Sequence, residues 1–251
     1  MFELIDTYTG LLLDTDLAGL PRYKTFIVES NRRLIREMSY GYVHALWWVR
    51  MEDGRSVMSV RPGAKDGIAT VLREKGNEQV IWNEELGERL KTPINAVLQQ
   101  KGLLPVNRTI TNKVFACNGE LLCSHPIPEC RRLTDAALGR AEGIYVPDEC
   151  LAKGTAFGFI QDGLIVSVAY AHQSGIMTDQ VADIGVETTS RCRRKGFAKA
   201  AVSALVADFT SRGGEARYGC HPDNTASMAT ARCVGFVPYA ESFILSAPSC
   251  E

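Results

Sequence analysis

The sequence has 251 residues, of which 45% are hydrophobic and 23% charged, a composition typical of globular proteins with one or two domains. Its 28 basic and 29 acidic residues argue against a general nucleic-acid-binding protein, because such proteins usually carry a basic excess. No run approaches the roughly 20 apolar residues needed to span a bilayer, and the first residues lack the basic start of a secretory signal, so we expect a cytoplasmic protein without a membrane partner.

The first half of the sequence predicts both helices and strands. Apolar spacing in residues 24–40 predicts a helix, and β-type runs on both sides of the acidic-Gly turn at residues 52–54 predict a hairpin. Residues 64–76 and 83–102 have amphipathic helical spacing, and each runs toward a Lys-Gly stop. These elements predict a smaller α/β domain in the N-terminal region, over residues 1–127.

Residues 106–130 predict an extended pair around an Asn-Gly turn, followed by a connector that contains proline. Four residues there are of types that bind zinc, namely Cys117, Cys123, His125 and Cys130. Five, one and four residues separate them, which is not the paired spacing of structural zinc sites. The eight cysteines of the chain show no tight framework, so we expect free thiols and no metal.

After the connector, a second domain is predicted over residues 128–251. It begins with a strand end and a helix capped by Thr134 and Asp135, and a hairpin turns at residues 161–163. The remaining predicted elements are a strand (VADIGVETT), a helix over 198–212, a strand (EARYGC), a helix (DNTASMATARCVG) and a closing strand (FVPYAESFIL). The predicted fold class is α/β (α+β).

The stretch RCRRKGFA, residues 191–198, joins the VADIGVETT strand to the helix that follows. A helix N-terminus carries unpaired backbone N–H groups and partial positive charge, so it suits a phosphate. Gly196 allows close approach of an anion, and Arg193, Arg194 and Lys195 add positive charge. The glycine patterns of nucleotide-triphosphate and dinucleotide loops are absent.

Two motifs resemble the GNAT family of N-acetyltransferases. Arg193, Gly196 and Ala198 match the R-x-x-G-x-A form of the family's pyrophosphate loop, and NTASMATARCVGF, which begins at Asn224, is similar to its N-x-x-[AS]…G-F segment. A helix and a strand lie between the motifs, as in the family. The resemblance covers roughly residues 130–245 and is greatest for the branch containing the zwittermicin-resistance acetyltransferase, in which an extra N-terminal domain precedes the catalytic one.

The resemblance implies a mixed, splayed central sheet flanked by helices, and acetyl-CoA as co-substrate without a metal. It implies that residues 1–127 form a domain that shapes the substrate site. Whether this domain is a diverged copy of the same fold is left open. Backbone around Glu187 would pair with the pantetheine arm, and the loop would hold the pyrophosphate. The implied cofactor-binding residues are Thr188, Thr189, Arg193, Arg194, Lys195, Gly196, Phe197, Ala198, Asn224 and Ser227.

The catalytic groups are harder to assign, because the position of the family's usual proton-donating tyrosine is Ala231. Glu187, at the end of its strand, is the candidate base; its alternative role is a surface carboxylate paired with an arginine. Tyr218 and His221 are candidates for proton transfer. Their alternative roles are a half-buried wall residue and a loop cap, respectively.

The predicted function is direct transfer of an acetyl group to a primary amine of a small molecule, such as an antibiotic or an amino-acid derivative. The alternatives are acetylation of a peptide or protein amine and sensing of acyl-CoA without turnover. A nucleic-acid partner is not expected. The oligomeric state, including a homodimer, is left open.

Overall fold

A computed structural model describes residues 2–37, 41–74, 81–173 and 175–249 of the chain. Its helices are α1 Glu3–Leu13, α2 Lys65–Arg73, α3 Glu84–Gln100, α4 Asp148–Ala152, α5 Phe197–Thr210 and α6 Thr225–Val234. Its strands are β1 Thr25–Glu29, β2 Arg36–Glu37, β3 Tyr42–Met51, β4 Ser56–Val60, β5 Arg108–Cys117, β6 Arg131–Leu133, β7 Gly139–Arg140, β8 Ala156–Gln161, β9 Leu164–Ala171, β10 Val181–Thr188, β11 Glu215–Cys220 and β12 Val237–Pro248. None of the helices in these ranges has the length and apolar character that a membrane crossing requires.

The chain divides into two compact units, each discontinuous in sequence. The first unit comprises residues 1–8 and 114–238, and the second comprises residues 9–113 and 239–251. The division therefore falls inside α1, β5 and β12. The predicted boundary between residues 127 and 128 lies inside the first unit, because the chain joins that unit earlier, within β5.

The first unit is built on a mixed sheet. Strand β8 pairs antiparallel with β6 and with β9, β9 pairs antiparallel with β10, and β10 runs parallel to β11. Strand β9 is buried along nearly its whole length, as expected for an apolar central strand covered on both faces. Helix α5 packs against β8, β9 and β10 through its alanines and larger apolar residues. This mixed sheet with flanking helices confirms the predicted fold class.

The second unit contains a set of paired strands and two helices, α2 and α3. Strand β3 pairs antiparallel with β4 and with β12, and β1 runs parallel to β4. Trp48 is fully buried in this core and donates its indole N–H to Ser56 Oγ at 2.9 Å. Helices α2 and α3 pack closely, since a Cβ added at Gly67 would lie 2.5 Å from Pro93 Cβ.

Several predicted elements of the N-terminal region are confirmed, and two predictions are wrong. The hairpin at residues 52–54 is β3–β4, and the two amphipathic segments are α2 and α3. Residues 24–37 do not form the predicted helix, because β1 pairs with β4. Only a short 3₁₀ helix occurs there, at Asn31–Leu34, and Ser30 Oγ caps it by accepting the Arg32 N–H. Residues 38–40 of that predicted helix lie outside the described residues.

The predicted extended pair around Asn118 is a single strand, β5, followed by a local turn. The Asn118 side-chain oxygen accepts the N–H groups of Glu120 and Leu121, which satisfies them without a second strand. The helix predicted after Thr134 is also wrong. There the Asp135 carboxylate accepts the Ala137 N–H, and such side-chain-to-backbone bonds compete with a helix.

Candidate active site

The candidate site lies where two parallel strands of the first unit separate. Strands β10 and β11 pair from Val181 opposite Glu215 to Ile184 opposite Tyr218. Strand β10 continues beyond this point, paired only on its other side with β9, as far as Thr188 opposite Ser167. Residues 185–188 therefore present an unpaired strand edge, within the described chain, to a groove of about 650 Å³, here called the splay groove.

The loop after β10 forms one end of the splay groove. Arg194 and Gly196 have positive φ angles of 61° and 81°, and α5 starts at Phe197 without a side-chain cap. The backbone N–H groups of residues 194–199 donate to no acceptor in the part of the chain that the structure describes. Unpaired donors at a helix N-terminus, with cationic side chains beside them, are chemically suited to an anion.

Two contacts hold this loop in place. The Phe197 ring stacks on Phe159 of β8 with ring centroids 4.1 Å apart, which anchors the first residue of α5 on the sheet. Arg193 Nε donates to the Thr188 carbonyl at 3.4 Å, so this guanidinium spans the end of β10. These contacts fix both ends of the loop to the sheet.

Helix α6 forms the opposite wall of the splay groove. Asn224 caps its N-terminus, where the side-chain oxygen accepts the Ser227 N–H at 3.0 Å. Ser227 Oγ lies 2.7 Å from the hydroxyl of Tyr218, the last residue of β11 that pairs with β10. These two hydrogen bonds link the N-terminus of α6 to the point where β10 and β11 separate.

Burial shifts the acidity of the two titratable side chains at this point. It raises the pKa of Glu187, which is half-buried on the unpaired edge, while the charge of Arg193 opposes the shift. Burial raises the pKa of Tyr218 to about 12, although the hydrogen bond with Ser227 opposes it. A carboxylate with a raised pKa is a better proton acceptor than an ordinary glutamate.

Most of the predicted site residues line the splay groove. They are Glu187, Thr188, Arg193, Arg194, Gly196, Phe197, Ala198, Tyr218, Asn224 and Ser227.

Three predicted residues are not among the groove lining. Thr189 is buried, donates its N–H to the Val166 carbonyl and leaves its hydroxyl without a partner in the described chain. Lys195 lies in the loop but outside the lining. The His221 side chain is 58% exposed, and its Nδ1 accepts the Asp223 N–H at 3.2 Å within a turn. Their predicted roles stay predictions.

The sequence reasoning missed seven lining residues. They are Val186, Cys192, Lys199, Ala226, Ala229, Thr230 and Cys233. Four of them follow the helical spacing of three and four residues along α6, and this periodicity could have identified the helix face once the helix was predicted.

Ala231 and the cysteines of the connector lie outside the splay groove. Ala231 is fully buried. Burial raises the pKa of Cys117 to about 12 and that of Cys130 to about 11, and their thiols are free. Over residues 2–37, 41–74, 81–173 and 175–249, no cluster of three or more His, Cys, Asp or Glu side chains could hold a metal ion.

Comparison with protein-family models gives one match. Residues 146–241 match the GNAT acetyltransferase family. The matched segment covers less than half of the chain, yet it contains every residue that lines the splay groove. The match supports the GNAT acetyltransferase resemblance for this segment and leaves the branch within the family a prediction. No curated protein sequence matches the chain.

Solved structures similar to the chain include two GNAT proteins. An acetyltransferase from the GNAT family of Colwellia psychrerythraea has 13% identity and a TM-score of 0.47, with 76% of each chain covered. A GCN5-related N-acetyltransferase from Sphaerobacter thermophilus has 15% identity and a TM-score of 0.42, covering 78% of this chain and 74% of its own.

Proposed function

We propose that this chain is an N-acetyltransferase that moves an acetyl group from acetyl-CoA directly to a primary amine. The observation that carries the proposal is the junction of an unpaired strand edge at residues 185–188 with the anion-binding loop at residues 194–199. An edge strand pairs with amide groups, and the loop pairs with phosphates, which are the two polar features of the CoA arm. Acetyl-CoA itself supplies the activated acyl group.

The chain's own residues would then divide the work as follows. The N–H groups of residues 194–199 hold the pyrophosphate, and Arg194 and Lys199 on the groove wall add positive charge. Glu187, with its raised pKa, accepts the proton that the attacking amine loses. The small side chains along α6, among them Ala226 and Ala229, leave room for the arm.

The acceptor proposed is a small-molecule amine. The likeness of the loop motif to the zwittermicin-resistance branch supports it. Peptide or protein amines are the alternative acceptors. A separate candidate is a sensor that binds acyl-CoA without turnover, and it is favoured by one observation: Ala231 carries no hydroxyl at the position of the family's proton donor.

The experiment compares two glycine variants that carry the same backbone strain. Gly196→Glu places a bulky acid in the loop and should abolish acetyl-CoA binding in calorimetry. Gly213→Glu is the matched control, because Gly213 has a similar positive φ of 79°, compared with 81° at Gly196, and is exposed beyond α5. Unchanged binding by the Gly196 variant would contradict the proposed loop.

Turnover separates the enzyme from the sensor. The wild-type chain is incubated with acetyl-CoA and a panel of small amines and peptides, and free thiol is measured. Thiol release with one amine identifies an enzyme and its acceptor class. Stoichiometric acetyl-CoA binding without release across the panel identifies the sensor.

A further inference from the structure

Two hydroxyl groups meet in the splay groove, between the ends of the paired strands and the first turn of α6. Tyr218 Oη and Ser227 Oγ lie 2.7 Å apart, and the Ser227 backbone is fixed by its N–H bond to Asn224. Both side chains line the groove, as does Glu187. The Tyr218 side chain is 1% exposed, whereas Ser227 is half-buried and faces the open space.

Burial decides the direction of this hydrogen bond. A buried hydroxyl hydrogen without an acceptor destabilises the folded protein. Within the described ranges, the Tyr218 hydroxyl has Ser227 Oγ as its hydrogen-bond partner and no other. Tyr218 therefore donates and Ser227 accepts. The Ser227 proton is left for another acceptor, either the nearby Cys220 sulfur, whose pKa the serine lowers against the effect of burial, or a group in the groove.

We propose that the Ser227 hydroxyl donates a hydrogen bond to the sulfur that leaves when the acetyl group is transferred, with Tyr218 as the positioning residue behind it. This inference rests on the proposed function. The amine nitrogen bonds to the acyl carbon, the carbon–sulfur bond breaks, and its electron pair goes to sulfur. Glu187 takes the amine proton, Ser227 keeps its own proton, and the released thiolate is protonated by solvent.

Two further features suit a thiolate at this position. Ser227 lies in the first turn of the ten-residue helix α6, whose N-terminal partial positive charge stabilises an anion. Tyr218, with a pKa of about 12, holds its proton. Transfer of that proton to a thiolate is unfavourable, because the conjugate acid of an ordinary thiolate has a lower pKa, about 8.5. The pair therefore stabilises charge by hydrogen bonding and does not act as an acid.

The test measures the pKa of the CoA thiol when CoA is bound, from the ultraviolet absorbance of the thiolate as pH is raised. No acceptor amine is needed. In the wild-type protein the bound thiol should have a pKa below that of free CoA. Ser227→Ala should raise it by about one unit, which is a tenfold change in thiolate stability. Ser227→Thr, which keeps a hydroxyl, should restore the wild-type value.

Tyr218→Phe tests the positioning role. It removes the partner of Ser227 but keeps the ring, and it should produce part of the Ser227→Ala shift. Thr225→Ala is the matched control, because it removes an exposed hydroxyl from the same helical turn outside the groove lining. Circular dichroism checks that each variant folds.

The outcomes separate the two proposals. If wild-type protein does not bind CoA, the proposed function fails. If CoA binds and Ser227→Ala leaves the thiol pKa unchanged, the inference about Ser227 is wrong while the proposed function stands. If Tyr218→Phe leaves the pKa of the bound CoA thiol unchanged, Tyr218 does not position Ser227. With an active amine, Ser227→Ala should lower kcat about tenfold and leave the KM for acetyl-CoA near its wild-type value.

Discussion

At the residue scale, the burial of Glu187 costs stability at neutral pH, where the side chain is charged. Burial raises its pKa above the value of about 4.3 for an unperturbed glutamate. The native state therefore binds this proton more tightly than the unfolded chain does. Its contribution to stability is present at low pH and is lost as pH rises through the raised pKa.

The first prediction follows from this cost. Glu187→Gln should raise the melting temperature at neutral pH, and the difference from wild type should shrink as pH falls through the raised pKa and be smallest below about 4.3. The same variant should lower kcat by about 100-fold, because the amine loses its proton acceptor. Thermal unfolding across pH and thiol release measure the two effects.

The control is Glu142→Gln, which changes an exposed acid of the same unit. It should alter neither the melting temperature nor the rate. A Glu187→Gln variant with wild-type kcat would exclude Glu187 as the base.

At the element scale, the pairing of β9 with β10 depends on a glycine. Gly185 is opposite Tyr170, and a Cβ added at Gly185 would lie 2.3 Å from Tyr170 Cζ. The Tyr170 ring is 4% exposed and packs edge-on against Tyr145 and His172. The ring has little room to move aside, and Gly185 begins the unpaired edge of the splay groove.

Gly185→Ala should therefore destabilise the first unit by about 1–3 kcal/mol through overpacking. Chemical denaturation measures the loss. Gly219→Ala is the control, because the nearest atom to its added Cβ is 3.9 Å away, and it should stay within about 0.5 kcal/mol of wild type. In a Tyr170→Ala background the penalty of Gly185→Ala should largely disappear, and a penalty that persists would exclude the ring as its cause.

The sequence predicted the elements around the site best where local chemistry and tertiary packing agree. Helices α5 and α6 have apolar periodicity with glycines at their ends, and RCRRKGFA lies between a strand and a helix. The pairing of Tyr218 with Ser227 could not be predicted, because it depends on how far β11 runs beside β10. Exposure of His221 likewise depends on a turn that periodicity does not reveal.

Local sequence patterns gave wrong predictions where a side chain or a distant strand made the backbone hydrogen bonds instead. Residues 24–40 have helical apolar spacing around Leu34 and Ile35, but parallel pairing with β4 makes residues 25–29 a strand. Asp135 and Asn118 accept neighbouring N–H groups and so form turns in place of the helix and strand expected there.

At the scale of the whole molecule, a histidine in the second unit should make unfolding depend on acid. Burial lowers the pKa of His44 to about 4, and the charges of Arg33 and Arg108 act in the same direction. Its Nδ1 lies 2.8 Å from Ser246 Oγ, and its ring meets Trp47 edge-on. The native state thus binds this proton more weakly than the unfolded chain, whose histidine pKa is about 6.5.

The contribution of His44 to the free energy of unfolding should be complete above about pH 6.5 and should fall by about 3 kcal/mol as pH approaches 4. His44→Gln, which keeps a polar group toward Ser246, should flatten this part of the pH profile of unfolding. His221→Gln, at an exposed histidine of the first unit, should leave the profile unchanged. If the His44→Gln variant keeps the wild-type dependence of unfolding on pH, His44 is not the cause of that dependence.

The return of the chain to the second unit has a consequence for folding during synthesis. Strand β3 carries Trp47 and Trp48, and one of its neighbours is β12, which the ribosome adds after all of residues 114–236. Until then, β3 presents an unpaired apolar edge, the kind of surface that promotes aggregation. Most of the first unit, residues 114–236, is synthesised in the meantime. Chaperone binding to the nascent second unit would therefore matter most before β12 is synthesised.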